Sequence, residues 1–462
     1  MTAISTAPAR QPADWLKLGA IVVTTFVVCW AAMIGYWHAV DHRPDTLDLA
    51  LTLLLPLSLL LAFWAVHKTL AARAAVPAAG TSTPASSLPA AEIPAAPVLA
   101  VIATALRSPH GSSAQELAEA IAENEARADL DKELVDDNGF PVMTARCDDA
   151  RDEALQDEIA EWLAARGVPV ILRDEQWRAL TLATGVASEL ASLATDFMPS
   201  EGKPPMLQLR VLLPDDWPLD VRRAATMWLG HTVGQYGWPE AAIATPEVTE
   251  QLPTPAAMLM QLVPAASTGT APLVAIVISC ASLIGQESVD RLAASASLFS
   301  SSGSRGQIPG EGAAGLLLTD LQQAQAHNSD FALLGPLSER RRDSAADDAR
   351  RIDSALLLAL AEQVGKAGKV ELAEIGMVVA DTAHRPNRAL ELMGLGAPAI
   401  PQVDAADDII RIGLGSGSCG AVPFVTVLAL GRHFARERNA PVLCVSNEDP
   451  YLRSVALVRP AA

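Results

Sequence analysis

The sequence predicts an α/β protein preceded by two membrane-spanning helices. Three observations support this: short apolar runs alternate with helical patterns beyond residue 98, a stretch of 20 residues near the N terminus carries no charge, and a second uncharged run follows it. The chain has 462 residues, of which 50% are hydrophobic and 19% are charged. It is therefore long enough for two or three compact units and too apolar to be a disordered protein.

Residues 1–70 are interpreted as a transmembrane helical hairpin. The run Leu18–Trp37 ends in an aromatic pair, and the second run, Leu49–Val66, is bounded by Asp48 and Lys68. Each run is long enough to cross a hydrocarbon core of about 30 Å. A cleaved signal peptide fits less well, because its core is shorter and a second span rarely follows. The Lys and Arg counts place both ends in the cytoplasm, which predicts a membrane protein with a cytoplasmic soluble domain.

The charge of the chain limits its partners. It has 53 acidic against 34 basic residues, for a formal charge of −19, which excludes a basic nucleic-acid binder. The Ala/Pro-rich stretch 71–97 cannot bury a core and is expected to act as a tether that holds the acidic body away from anionic lipid. The five cysteines are scattered without a CxxC pair, so neither a disulfide framework nor a zinc site is predicted. We expect no metal and no cofactor.

Beyond the tether, the patterns divide at the charge run Glu339–Arg351 into parts 98–338 and 352–462. In the first part a helix is predicted at Ala114–Glu125, and strands are predicted at Val98–Leu106, Val168–Leu172, Leu207–Leu213, Met258–Leu262, Leu273–Cys280 and Ala313–Leu318. In the second part helices are predicted at Ile352–Val364, Arg388–Met393 and Ala421–Arg436, with strands at Ile375–Ala380, Asp408–Leu414, Val442–Ser446 and Ser454–Val458. The two adjacent closing strands predict a mixed sheet. A strand–turn–helix pattern shared by Val98–Ile121 and Ile375–Met393 suggests that the two parts are related.

Several segments, in order, resemble the thiolase superfamily and in particular the β-ketoacyl synthases. Val98–Gly111 resembles their first strand and turn, and Pro309–Leu318 (PGEGAAGLLL) closely resembles their Gly-Glu-Gly-Ala turn and strand. Gly413–Ala421 lies where they carry a Gly-His turn before a helix, and Pro441–Pro460 resembles their final strand pair. The resemblance implies a thiolase-like fold of two related halves, layered as helices, sheet, helices, sheet, helices.

The chemistry of that family needs a thiolate at a helix N terminus, two histidines or a His/Asn pair, and backbone donors for the oxyanion. The resemblance places the first histidine at or beside Asp381 and the second near Ser416, and Glu250–Val263, where the nucleophile should open a helix, has no cysteine. The glycine-rich turn of the family is replaced by Asn447–Pro450, whose two carboxylates would oppose an oxyanion. The chain is therefore expected not to be an enzyme. The candidate residues of the relic pocket are Glu311, Asp381, His384, Ser416 and Cys419.

Some of these features have two interpretations. The spaced glycines of Gly413–Gly420 form either a tight turn or a phosphate loop, and the turn fits better because no lysine follows. His384 beside Asp381 is either a turn-stabilising pair or a base with its orienting acid. Cys419, at a predicted helix start, is either an inert buried residue or a nucleophile with a lowered pKa.

The layout of two N-terminal helices, a tether and tandem related domains is similar to that of the type VI secretion lipase adaptor family. This similarity implies a membrane-anchored, non-catalytic adaptor or chaperone whose acidic surface captures a protein partner, a secreted lipase effector. The alternative is an acyl-CoA or acyl-carrier-protein binding protein, or a divergent acyltransferase, that uses the relic pocket. An adaptor predicts an exposed apolar or acidic groove outside a filled relic pocket, whereas the alternative predicts a tunnel that reaches Cys419. The resemblance also suggests a homodimer through an edge strand.

Overall fold

The computed structural model describes residues 98–199, 201–268, 271–301, 303–327, 330–348 and 352–461. The described residues fall within one compact unit, Ile93–Ala462. The predicted transmembrane hairpin and the tether lie outside the described residues. Among the helices that the structure does describe, none is long and apolar enough to span a bilayer.

Within the described residues, ten strands form one mixed sheet, and two further strands form a separate hairpin. The strands are β1 (Leu99–Arg107), β2 (Asp129–Val135), β3 (Pro141–Thr144), β4 (Leu207–Leu212), β5 (Ile243–Ala244), β6 (Val274–Ser282), β7 (Glu311–Thr319), β8 (Ala332–Arg341), β9 (Met377–Ala380), β10 (Ile409–Arg411), β11 (Val442–Ser446) and β12 (Leu452–Pro460). The sheet order is β10-β9-β11-β12-β8-β1-β7-β6-β4-β5, and β2 pairs with β3. The mixed sheet confirms what the two closing strands predict.

Helices connect most of these strands. They are α1 (Ala114–Ala122), α2 (Glu153–Ala165), α3 (Asp174–Ala194), α4 (Leu219–Gly234), α5 (Pro255–Thr268), α6 (Gln286–Ala294), α7 (Leu321–Ala326), α8 (Ala355–Gly368), α9 (Pro386–Met393), α10 (Gly396–Ala399), α11 (Gly413–Ser416) and α12 (Val422–Glu437). One apolar core joins α5 and α12 with strands of the whole sheet, a second lies around α3 and α4, and a third lies beneath α8.

The sheet consists of two halves with the same strand order. In the first half, the chain order β1, β4, β5, β6, β7 gives the sheet order β5-β4-β6-β7-β1, and in the second half β8 to β12 give β10-β9-β11-β12-β8. In each half the second, third and fourth strands are parallel, and the fifth is antiparallel to both of its neighbours. The halves meet where Leu99–Val101 pairs antiparallel with Ala332–Leu334.

The strand topology divides the halves earlier than the sequence analysis does. Strand β8 runs through the predicted end of the first part at residue 338, pairs with both β1 and β12, and is the first strand of the second half. Glu339, the first residue of the charge run that marks the predicted boundary, is therefore part of a strand. Since β1 corresponds to β8 in this topology, the predicted correspondence between Val98–Ile121 and Ile375–Met393 is wrong.

Two predicted strands are also wrong. Val168–Leu172 is irregular, and Met258–Leu262 lies inside the helix α5. A short apolar run fits a buried strand and a buried helix equally well, so its pattern alone does not distinguish them. Thr254 and Pro255 immediately before the run are the better guide, because a threonine N-cap followed by proline at the first position is typical of a helix start.

Candidate functional site

A cleft of about 1360 Å³, which we call the acidic cleft, lies at the carboxyl ends of β4, β6, β9 and β11. In open α/β sheets this is the edge where ligands bind. Eight carboxylates and three arginines contribute to its lining, for a formal charge of −5. The charged residues are Asp215, Asp216, Glu250, Glu339, Asp347, Asp381, Glu448, Asp449, Arg291, Arg305 and Arg385. The cleft therefore concentrates negative potential.

The start of α5 contributes Thr254 to this cleft, a residue that the sequence analysis missed. The Oγ1 hydroxyl of Thr254 donates to the Oε1 atom of Glu339 over 2.9 Å and accepts from the backbone N–H of Ala257 over 3.1 Å. Ser454 donates to the other carboxylate oxygen of Glu339 over 2.7 Å. Thr254 thus caps the helix and holds a carboxylate from β8, rather than leaving a nucleophile free.

Asp381 fixes the loop between β11 and β12. Its Oδ1 atom accepts hydrogen bonds from the backbone N–H groups of Asn447 (2.8 Å) and Glu448 (3.1 Å), and its Oδ2 atom accepts from the hydroxyl of Ser446. Burial raises the pKa of Asp381, although these hydrogen bonds act in the opposite direction. No hydrogen bond or ion pair joins Asp381 to His384 among the described residues, so their prediction as a turn-stabilising pair or a base with its acid is wrong.

The acidic lining is neutralised unevenly. Arg388 contacts Asp347 over 3.0 Å, and the Nε atom of Arg385 lies 3.3 Å from the Oε1 atom of Glu448. By contrast, the carboxylates of Asp215 and Glu250 are exposed and make no hydrogen bond or ion pair with any residue that the structure describes. These two side chains are available to a ligand without the loss of an internal contact.

A second concave region of about 890 Å³, which we call the apolar cavity, lies between α1, the end of α12 and the strands β9 and β10. Most of its lining is apolar: Leu117, Ile121, Met143, Ile308, Met377, Met393, Ile409, Ile412, Leu414 and Phe434. Four of the predicted relic-pocket residues, Glu311, His384, Ser416 and Cys419, line this cavity, and Cys419 also lines the acidic cleft. Asp381 lines only the cleft of the two. The structure therefore separates residues that the sequence analysis placed in one pocket. The relic pocket is not filled by side chains, so this expectation of the adaptor interpretation is wrong, and Cys419 lines an open cavity, as the alternative predicts.

The polar residues of the apolar cavity are not arranged as an activated nucleophile. Burial raises the pKa of the Cys419 thiol to about 12, so the interpretation of Cys419 as a thiol of lowered pKa is wrong. Ser416 donates its hydroxyl hydrogen bond to the backbone carbonyl of Ile412 over 3.1 Å. Burial lowers the pKa of His384, whose ring packs edge-on against Phe299 at 4.8 Å between centroids.

Glu311, of the Gly-Glu-Gly-Ala motif, is held by four groups. Its carboxylate accepts from Nε of Arg178 over 2.8 Å and from a second guanidinium nitrogen of the same residue. The backbone N–H of Cys147 and the hydroxyl of Ser282 each donate to it over 2.8 Å. The side chains of Arg178 and Glu311 are both fully buried. Glu311 is therefore a structural anchor, and its carboxylate is not available to bind a ligand.

The same motif packs against the glycine-rich loop before α12. The backbone N–H of Gly310 donates to the carbonyl of Ser418 over 3.1 Å, and the N–H of Ser418 donates to Ile308 over 2.8 Å. A Cβ atom at Gly310 would lie 2.0 Å from the carbonyl oxygen of Ser416, and Gly417 has a φ of +60°. The spaced glycines therefore serve close backbone packing and tight turning, as the turn interpretation predicts.

Three polar side chains of the apolar cavity lack hydrogen-bond partners. The Nε2 atom of His110 and both ring nitrogens of His384 are buried without a hydrogen bond, and the side chain of Arg411 makes no hydrogen bond or ion pair with a described residue. None of these groups lies in a metal site, since no cluster of three metal-binding side chains occurs in the described part of the chain. Unpartnered polar groups within an apolar lining are typical of a ligand pocket.

No family model and no curated protein sequence matches the chain. Solved structures do match: the ketosynthase from module 6 of the bacillaene synthase of Bacillus subtilis 168 has a TM-score of 0.56 at 12% identity, over 79% of this chain and 72% of that one. A type II PKS acyl-carrier protein in complex with its ketosynthase has a TM-score of 0.52 at 12% identity, over 79% of this chain and 100% of that chain. The oxazolomycin ketosynthase domain of Streptomyces albus JA3453 has a TM-score of 0.52 at 11% identity, over 79% of this chain and 75% of that chain. The chain therefore has a thiolase-like ketosynthase fold, as the sequence resemblance implies.

Proposed function

We propose that this chain is a non-catalytic adaptor that binds a protein partner, a type VI secretion lipase effector, at the bacterial inner membrane. The observation that supports this function best is the acidic cleft. It opens at the sheet edge where α/β proteins bind ligands, and its lining carries carboxylates fixed by internal hydrogen bonds.

Acyl-transfer chemistry is disfavoured at the cleft for a physical reason. A thioester reaction needs a thiolate and donors for a developing oxyanion. The cysteine in the lining, Cys419, has a pKa near 12, and the backbone N–H groups of Asn447 and Glu448 already donate to Asp381. The negative lining opposes further negative charge.

The membrane location and the lipase partner rest on the layout of the sequence. Two uncharged runs and a tether precede an acidic body, and this arrangement is similar to that of the type VI secretion lipase adaptors. In that arrangement the partner is captured in the cytoplasm and not by the membrane-spanning segments.

The apolar cavity supports a second candidate function, the binding of an acyl-CoA or an acyl-carrier-protein-bound chain. Its lining brings Cys419, Ser416 and His384 together with the unpartnered groups of His110 and Arg411. An apolar lining suits an acyl chain, and a guanidinium suits a carboxylate or phosphate.

Co-purification tests the proposed function. The full-length chain, tagged at its C terminus and held in a non-ionic detergent, is co-expressed with any lipase encoded next to its gene and then purified through the tag. We expect the lipase to be retained in a stoichiometric complex, and the pure chain to form no condensation product from acyl and malonyl thioesters. Recovery of acyl-CoA or carrier protein without the lipase, or formation of product, would overturn the proposal.

A further inference from the structure

We infer that the acidic cleft binds a basic segment of the partner polypeptide, in which lysine or arginine side chains accompany apolar ones. The inference rests on the proposed adaptor function and adds the binding face and the chemistry that this face recognises.

The charges favour cations over anions. Eight carboxylates against three arginines give the lining a formal charge of −5. Asp215 and Glu250 are exposed and have no partner among the described residues, so a cationic side chain gains an ion pair there without breaking one. An acidic carrier protein or a nucleic acid meets repulsion at the same place.

The apolar part of the lining distinguishes a polypeptide from a simple cation. Leu252, Leu283 and Leu292 in this lining are only half-buried. A few side chains that enter well-packed, desolvated pockets supply most of the energy of a protein interface, and half-buried leucines can cover the apolar part of such side chains. A metal ion or a small hydrophilic amine leaves these residues uncovered.

The size of the cleft also fits a polypeptide segment. Its volume of about 1360 Å³ exceeds the range of roughly 300–1,000 Å³ that is usual for small-molecule sites. Its lining extends from the loop after β4, with Asp215, to the loop between β11 and β12, with Asp449. Several side chains of one segment can therefore contact it together.

The test measures the fluorescence anisotropy of a labelled 12-residue peptide with the repeat Lys-Leu-Arg-Leu, added to the full-length chain in a non-ionic detergent. The cleft variant is Asp215→Asn with Glu250→Gln. The matched control, Glu158→Gln with Glu161→Gln, removes the same charge from exposed residues on α2. None of the four side chains makes a hydrogen bond or ion pair with a described residue, so we expect both variants to fold, and thermal unfolding checks this.

We expect the cleft variant to bind the peptide about fivefold more weakly than the wild type, since two exposed ion pairs are lost. The control variant should bind like the wild type, and a peptide with the repeat Glu-Leu-Asp-Leu should not bind. Equal weakening in both variants, or displacement of the peptide by an equal concentration of spermidine, would overturn the inference.

The same variants separate this inference from the proposed function. If the wild type retains the lipase and the cleft variant retains it equally, the cleft is not the binding face, although the adaptor function stands. If the wild type binds the basic peptide through the cleft but retains no lipase, the lipase proposal fails, and the preference of the cleft for basic segments stands.

Discussion

The acidic cleft and the apolar cavity both include Cys419 in their linings, yet they differ in charge and in chemistry. The lining of the cleft has a formal charge of −5, whereas four arginines and two acids give the lining of the cavity +2. In the cleft, the exposed side chains of Asp215, Glu250 and Arg305 make no hydrogen bond or ion pair with a described residue. In the cavity, the same holds for Arg411 and for buried ring nitrogens of His110 and His384. The two linings therefore differ in formal charge, and we expect them to favour ligands of opposite charge.

The difference shows how the candidate residues should be interpreted. Glu311, His384 and Ser416 belong to the cavity, and Asp381 belongs to the cleft, where it fixes a loop. A protein partner is expected at the cleft and an amphipathic anion at the cavity.

The reactivity of Cys419 tests whether either region holds a nucleophile. At pH 7.5, a thiol with a pKa of about 12 is ionised more than a thousandfold less than an ordinary thiol of pKa about 8.5. We expect iodoacetamide to leave Cys419 unmodified in the folded full-length chain and to modify it after denaturation, as measured by mass spectrometry of the Cys419 peptide. Modification of the folded chain at the rate of free glutathione would contradict this account.

The variant Glu311→Ala tests the anchor behind the apolar cavity. It leaves the guanidinium of Arg178 buried and without its counter-ion, which costs about 3–5 kcal/mol. We expect a large decrease in the urea midpoint of tryptophan fluorescence. Asp215→Asn is the control, because this exposed carboxylate has no described partner. A midpoint like that of the control would show that Glu311 does not anchor the motif.

The variant Arg411→Gln tests the charge preference of the cavity. The probe is cis-parinaric acid, a fluorescent fatty acid whose carboxylate and chain match the lining. Loss of one charge-assisted hydrogen bond should weaken its binding about tenfold. Arg305→Gln removes the same charge from the cleft and should leave the affinity unchanged. Equal weakening by the two variants would show that the probe responds only to net charge.

The variant Asp381→Asn should have the smallest effect, and it depends on pH. Burial raises the pKa of Asp381 in the folded chain, so the ionised form is disfavoured on folding. Its contribution to stability is therefore fully present below the unfolded pKa of about 3.9 and is lost as the pH rises through the folded pKa. We expect the variant to gain stability relative to the wild type over that interval in pH-dependent urea unfolding. If the variant instead gained stability relative to the wild type as the pH falls, the raised pKa of Asp381 would be contradicted.

Much of the fold was predictable because its patterns are local. Strands β6 and β7 are continuous apolar runs, and the motif at Pro309–Leu318 identifies the fold family. The helix α3 was missed because it is buried on nearly all sides and includes buried Glu175 and Arg178, so it lacks the two-faced pattern of a surface helix. Strand β8 was missed because charged residues at its end resemble a loop.

The candidate site was less predictable, because its parts come from distant segments. Arg178 and Glu311 are 133 positions apart, and Thr254 meets Glu339 across 85 positions. Composition and spacing do not report such pairs. The helix-start pattern at Thr254 and Pro255 was the available local feature, and it would have placed Thr254 at the start of a helix, although not in the cleft.

The central claim is that the cleft, and not the cavity, performs the function. The most direct measurement compares lipase retention by the tagged full-length wild type, by Asp215→Asn with Glu250→Gln, and by Arg411→Gln, in one buffer at one ionic strength. The account predicts equal retention by the wild type and by Arg411→Gln, and reduced retention by the cleft variant, whose binding is weakened about fivefold. Retention by the cleft variant together with loss from Arg411→Gln would contradict it and assign the function to the cavity.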